Sequence, residues 1–228
     1  MTTHHAISRC LPGAAAVTTT DAIAATTVSG CMTAVRAVLL GVAAVFLLAA
    51  CDSGKPQFKN TDVTGADYAK DFALTDHTGK RRSLADYRGK VVTIFFGFTQ
   101  CPDVCPTALA EMKAVLDKLG PIDAKRVQVL FITVDPERDT QALLANYVPA
   151  FDPSFAGLYG DLESTQSVAK SFKVFYQKVP GKTPGSYSVD HSAGSYAYDP
   201  QGRLRLFIRH GQPLEGLVND IKLLLAGN

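Results

Sequence analysis

Residues 90–98 are dense in β-branched and aromatic side chains, and they pass almost directly into Cys101-Pro102-Asp103-Val104-Cys105-Pro106. A run this uniformly apolar reads as a central strand buried on both faces. Proline cannot sit deep in a helix but suits its first position, so Pro106 marks a helix start with Cys105 near the cap. Leu109, Met112, Val115, Leu116 and Leu119 recur at helical spacing until Gly120-Pro121 stops the pattern. Residues 127–134 are a second buried strand. Strand, cysteine loop, helix and strand in this order point to an α/β architecture.

The flanking segments complete it. Residues 71–75 and 81–84 bracket His77-Thr78-Gly79-Lys80 as an N-terminal hairpin. A helix over 140–147, a short strand at 156–159 and a helix near 162–172 follow. Residues 174–179 are extended, and 181–185 form a Gly/Pro-rich loop expected to move. Residues 194–198 and 204–208 pair across Asp199-Pro200-Gln201-Gly202, and an amphipathic helix spans 213–225. The expected fold is α/β and thioredoxin-like. It has a mixed central sheet flanked by helices, an N-terminal hairpin and an inserted loop before the His-bearing strand. The domain is expected over 71–228.

Two thiols four residues apart can close a disulfide or offer two soft sulfur ligands to one metal. A helix N-terminus favours thiolate, which serves either use. A metal needs further donors. His77 lies in a hairpin turn, His210 in a basic stretch, and Met112 on an apolar helix face where it reads as core. His191, in Tyr187-Ser188-Val189-Asp190-His191-Ser192, precedes a strand whose connection lies over the cysteine loop in a thioredoxin-like sheet. Two thiolates and one imidazole suit Cu(I), and Cu(II) with a weak extra ligand, whereas structural zinc wants a fourth protein donor. Asp190 beside His191 is a candidate to orient the imidazole. Asp135 and Asp139 read as a strand end and a helix cap in preference to a catalytic acid pair.

The N-terminus reads as an address. Arg36 precedes a short apolar core at residues 38–50, which ends in Leu48-Ala49-Ala50-Cys51. That sequence resembles the bacterial lipoprotein box and implies lipidation of Cys51 after cleavage of a signal peptide over 32–50. The implied location is the inner (cytoplasmic) membrane, with the domain facing the periplasm. Residues 1–31, rich in Thr and Ala, are expected to be a mis-assigned extension in which Cys10 and Cys31 have no function. Residues 51–70 read as a flexible polar tether. The net charge is +2, and +1 without Arg9, Arg36 and Asp21, which argues against a nucleic-acid partner.

The segments Gly97-Phe98-Thr99-Gln100-Cys101-Pro102-Asp103-Val104-Cys105-Pro106, Val134-Asp135-Pro136-Glu137-Arg138-Asp139-Thr140 and Val189-Asp190-His191-Ser192 together resemble the Sco/SenC copper-chaperone signature. Gln100 stands where that family commonly has His. The resemblance implies copper held by Cys101, Cys105 and His191, and delivery to the binuclear copper centre of cytochrome c oxidase subunit II. A Cys101–Cys105 pair that oxidises to a disulfide requires a periplasmic thiol reductant as a second partner. The alternative is a thiol–disulfide oxidoreductase that keeps the oxidase subunit's copper-ligand cysteines reduced. Against it stand the Cys-x3-Cys spacing and a histidine where thioredoxin-like reductases carry a cis-proline. A thiol peroxidase lacks its motif proline here.

Overall fold

The structure, a computed structural model, describes residues 57–228; the expectations for 1–31, for the signal peptide at 32–50 and for Cys51 fall outside them. The strands are β1 (Thr61–Asp62), β2 (Leu74–Asp76), β3 (Arg81–Arg82), β4 (Val91–Gly97), β5 (Val127–Thr133), β6 (Ala156–Tyr159), β7 (Tyr176–Pro180), β8 (Tyr187–His191), β9 (Ser195–Tyr198) and β10 (Leu204–Ile208). The helices are α1 (Val104–Ala124), α2 (Gln141–Tyr147), α3 (Leu162–Ser171) and α4 (Leu214–Leu225). Eight strands form one mixed sheet in the order β1-β10-β9-β4-β5-β6-β2-β3, and β7 and β8 pair separately as a hairpin.

Every residue of β4 and β5 is buried. Strands hidden on both faces need apolar side chains in both alternating sets, which is why their sequences read as continuous runs. The two are parallel and in register from Val91↔Val127 to Gly97↔Thr133, and the Val134 amide extends the pairing to the Gly97 carbonyl at 2.8 Å. Both strands therefore end level, and the loops that follow them leave the sheet side by side. In open α/β sheets this edge is where functional groups gather. β9 flanks β4 antiparallel on its other side. Helix α1 carries Leu109, Met112, Val115, Leu116 and Leu119 into the core, where the helical spacing had placed them.

The stop expected at Gly120-Pro121 is present: Gly120 leaves helical geometry (φ 79°), and Pro121 opens a separate last turn to Ala124, where a missing amide costs nothing. Two other features differ from the sequence reading. The inserted loop before His191 is the β7–β8 hairpin, closed by the Gly181 amide on the Ser186 carbonyl at 2.8 Å.

The second difference is the described part of the tether. It is built into the domain: β1 pairs with β10, and Asp220 of α4, fully buried, gathers the approaching chain. Its carboxylate accepts the Lys59 amide at 2.9 Å, the Asn60 amide at 2.8 Å and the Asn60 side-chain amide at 2.9 Å. Composition cannot show this, because one carboxylate at the far end of the chain supplies the acceptors that a polar segment otherwise finds in water. Asp220→Ala strands these donors and is expected to cost about 1–3 kcal/mol. Hydrogen exchange should then show lost protection at Val63 with Ile94 unchanged.

Candidate metal centre

The cysteine loop leaves β4 at Phe98 and enters α1 at Val104, with Asp103 as the residue before the first turn. The helix thus starts two residues earlier than the proline suggested. Cys105 and Pro106 lie in its first turn, where amides have no intrahelical acceptor and a proline is harmless. The Cys105 amide is spent on Cys101, donating to its Sγ at 3.4 Å. Both thiols are free; Cys101 is half-buried and Cys105 is fully buried.

Gly97 makes room for Cys105. A Cβ at Gly97 would lie 2.7 Å from Cys105 Sγ and 2.9 Å from the Phe95 and Phe131 rings. The last residue of β4 must therefore lack a side chain if the thiol is to sit under the sheet edge.

His191 arrives from the other side, at the end of β8. Its ring stands edge-on to Phe95 and Phe98, with centroids 5.9 Å away in each case. Nε2 lies 3.5 Å from Cys105 Sγ, and Nδ1 lies 3.0 Å from the Ser192 carbonyl. A carbonyl only accepts, so Nδ1 carries the proton and the Nε2 lone pair faces the sulfurs. The ligand atoms of Cys101, Cys105 and His191 all lie within 4.8 Å of one another. Two thiol sulfurs and one imidazole nitrogen at these separations form a soft donor set that can close on a single metal ion.

Two expectations are corrected here. Burial, followed by the hydrogen bond to Cys101, pushes the Cys105 thiol far above the ordinary cysteine range. The helix-end reading counted favourable dipoles and omitted desolvation, which is larger for a thiol with no solvent contact. Asp190 is exposed, and the Ser192 carbonyl takes the Nδ1–H that Asp190 was expected to orient. Alternation explains it: on β8, adjacent residues face opposite ways.

Asp139 has a larger role than the sequence suggested. Thr140, not an aspartate, caps α2, accepting the Leu143 amide. Asp139 is buried, and its carboxylate accepts the Thr99 amide at 3.0 Å, the Thr99 hydroxyl at 2.5 Å and the Thr133 hydroxyl at 2.6 Å. It ties the start of the cysteine loop to the end of β5. Burial pushes its carboxyl above the usual range despite these three bonds. His77 is tied to the neighbouring strand: its Nδ1 accepts the Gly157 amide at 3.0 Å. Met112 is core, and His210 is exposed.

Burial also holds the His191 ring below the ordinary histidine range, outweighing the Ser192 carbonyl and the Asp190 charge. Above about pH 6.5 both folded and unfolded chains are neutral at this residue. Below it the unfolded chain takes up a proton that the folded chain resists, so metal-free stability falls with pH. Urea unfolding of His191→Gln should lose this part of the acid sensitivity; an unchanged pH profile would contradict it.

Comparison with known proteins agrees with this geometry. Residues 60–226 match the SCO1/SenC family model. Over 189 residues the chain is 37 % identical to the mitochondrial SCO2 homologue of Bos taurus, covering 82 % of this chain and 71 % of that one. It is 43 % identical over 132 residues to the mitochondrial SCO1 homologue of Homo sapiens, covering 58 % of this chain and 44 % of the relative's length. The copper-bound structure of Bradyrhizobium japonicum ScoI superimposes with a TM-score of 0.62 at 43 % identity, over 68 % of this chain and 98 % of that one. The chain belongs to the SCO1/SenC family.

Proposed function

We propose that this SCO1/SenC protein is a membrane-anchored copper carrier. It binds one copper ion through Cys101, Cys105 and His191 and delivers it to the binuclear copper centre of cytochrome c oxidase subunit II. The observation that carries this reading is the convergence of two sulfurs and one imidazole nitrogen within 4.8 Å. Copper is the cargo, and the donor set fits it: sulfur is soft, imidazole is neutral here, and three ligands suit Cu(I).

The residues divide the work. Cys105 is sealed beneath the sheet edge and His191 is packed between phenylalanines, so both are held in place. Cys101 and one edge of His191 border an open groove with Pro102, Asp103, Ser188 and Asp190. An incoming ligand from the acceptor reaches copper from that side, and copper passes by stepwise ligand exchange without release to solvent. Both sulfurs must be reduced to bind, so a periplasmic thiol reductant completes the cycle. A lipid on Cys51 holds the protein at the inner membrane, where the acceptor is also held; Leu48-Ala49-Ala50-Cys51 supports this anchor.

A thiol–disulfide oxidoreductase is the second reading, favoured by one half-exposed and one buried thiol. Burial of Cys105 and the histidine beside it fit a carrier better.

The test is anaerobic copper titration of the reduced full chain in detergent, with Cys10, Cys31 and Cys51 replaced by serine. One copper per chain is expected, with two sulfur ligands and one nitrogen by X-ray absorption, the nitrogen being lost in His191→Ala. No tight copper binding together with a readily cycled Cys101–Cys105 disulfide would give the function to the second reading.

A further inference from the structure

The hairpin β7–β8 that presents His191 lies outside the main sheet. Among the described residues, its strands make polar contacts with the rest of the domain at five residues: Ser192, Cys105, Asp135, Glu137 and Arg138. The last three belong to the loop after β5.

Arg138 is the hub. Its Nη1 donates to the Tyr187 carbonyl at 2.8 Å and to Gln100 Oε1 at 3.2 Å, and its Nε donates to Asp135. The guanidinium lies 3.7 Å over the Tyr187 ring and 5.7 Å from the Phe98 ring. Tyr187 in turn donates its hydroxyl to Asp135 at 2.8 Å. One planar cation therefore touches the hairpin strand that ends in His191, the residue immediately before Cys101, and the aromatic ring against which His191 packs. Lysine offers neither the fork nor the stacking face. The Lys178–Glu137 pair on the same hairpin is about half-exposed and is held by one ionic contact, so it contributes little.

We infer that Arg138 is the positioning residue of the metal centre: it clasps the histidine hairpin against the cysteine loop and thereby sets copper affinity through His191. This rests on the copper-carrier reading. A ligand available only part of the time weakens binding in proportion to that fraction. If unclasping leaves His191 in place about one-tenth of the time, affinity for Cu(I) falls about tenfold.

The experiment is competition for Cu(I) against a chromogenic chelator, on the reduced full chain in detergent with the three other cysteines replaced. Arg138→Met is expected to weaken binding about tenfold and to diminish the nitrogen ligand in X-ray absorption. Arg138→Lys should be nearly as weak, and Glu137→Gln should match the parent. The deciding comparison is Arg138→Met with His191→Ala: because Arg138 acts through His191, the double variant should bind no worse than His191→Ala alone. Losses that multiply, or an undiminished nitrogen ligand in Arg138→Met, overturn the inference. If Arg138→Met does not fold, Arg138→Lys carries the same cycle. A parent chain without a copper–nitrogen contact would instead overturn the carrier reading, which keeps the two failures distinct.

Discussion

The buried carboxylate of Asp139 holds together the edge on which everything else stands. Two parallel strands ending level do not by themselves fix the loops beyond them, since each chain leaves the last ladder bond free to diverge. Asp139 removes that freedom by taking one amide and two hydroxyls from Thr99 and Thr133. The fixed point lies two residues before Cys101, so the cysteine loop starts from a set position. The cost is a carboxyl group in a dry place, visible as its upward shift. Each polar partner must then be satisfied, because a half-satisfied network in low dielectric is worse than none.

From that edge the centre is assembled out of two separate pieces of the fold. The sulfurs come from one short stretch, bounded by Gly97 under the sheet and by the first turn of α1. The imidazole comes from a hairpin outside the sheet, joined to it by packing and by the loop after β5. The segment containing Asp135, Glu137, Arg138 and Asp139 thus serves both halves. Asp139 fixes the cysteine side, and Asp135 and Arg138 hold the histidine side. Asp135, Arg138 and Asp139 thus brace two pieces that otherwise meet through His191 itself, at Cys105 and the Phe95 and Phe98 rings.

Much of this was legible in the sequence because the signals were local. Uniform burial of β4 and β5 shows in their composition, the core face of α1 in its spacing, and the candidate donors that converge in Cys101, Cys105 and His191. What escaped depends on partners distant in sequence. The attachment of residues 57–62 needs Asp220, some 160 positions away. The role of Asp139 needs Thr99, 40 positions back. The sequence shows residues 174–179 as extended and 181–185 as a Gly/Pro-rich loop, but the pairing of β7 with β8 leaves no local signal, because both strands are mostly polar and exposed. Asp190 was misread for a simpler reason: adjacency in a strand separates side chains and does not join them.

A helix N-terminus is a real source of positive potential, but its benefit to a thiolate is a few contacts, whereas removal from water penalises the charge as a whole. A lone thiol in that position is held in its neutral form. A metal ion reverses the balance, because a coordinated thiolate shares its charge with a cation at bonding distance. Burial therefore makes the deep sulfur a poor free nucleophile and leaves its use as a ligand intact. The neutral imidazole follows the same logic: a dry ring that resists protonation keeps its lone pair available in acid. An environment that discourages charge on Cys105 and on His191, yet places both with Cys101 within reach of one ion, favours metal binding over free thiol chemistry at the buried sulfur.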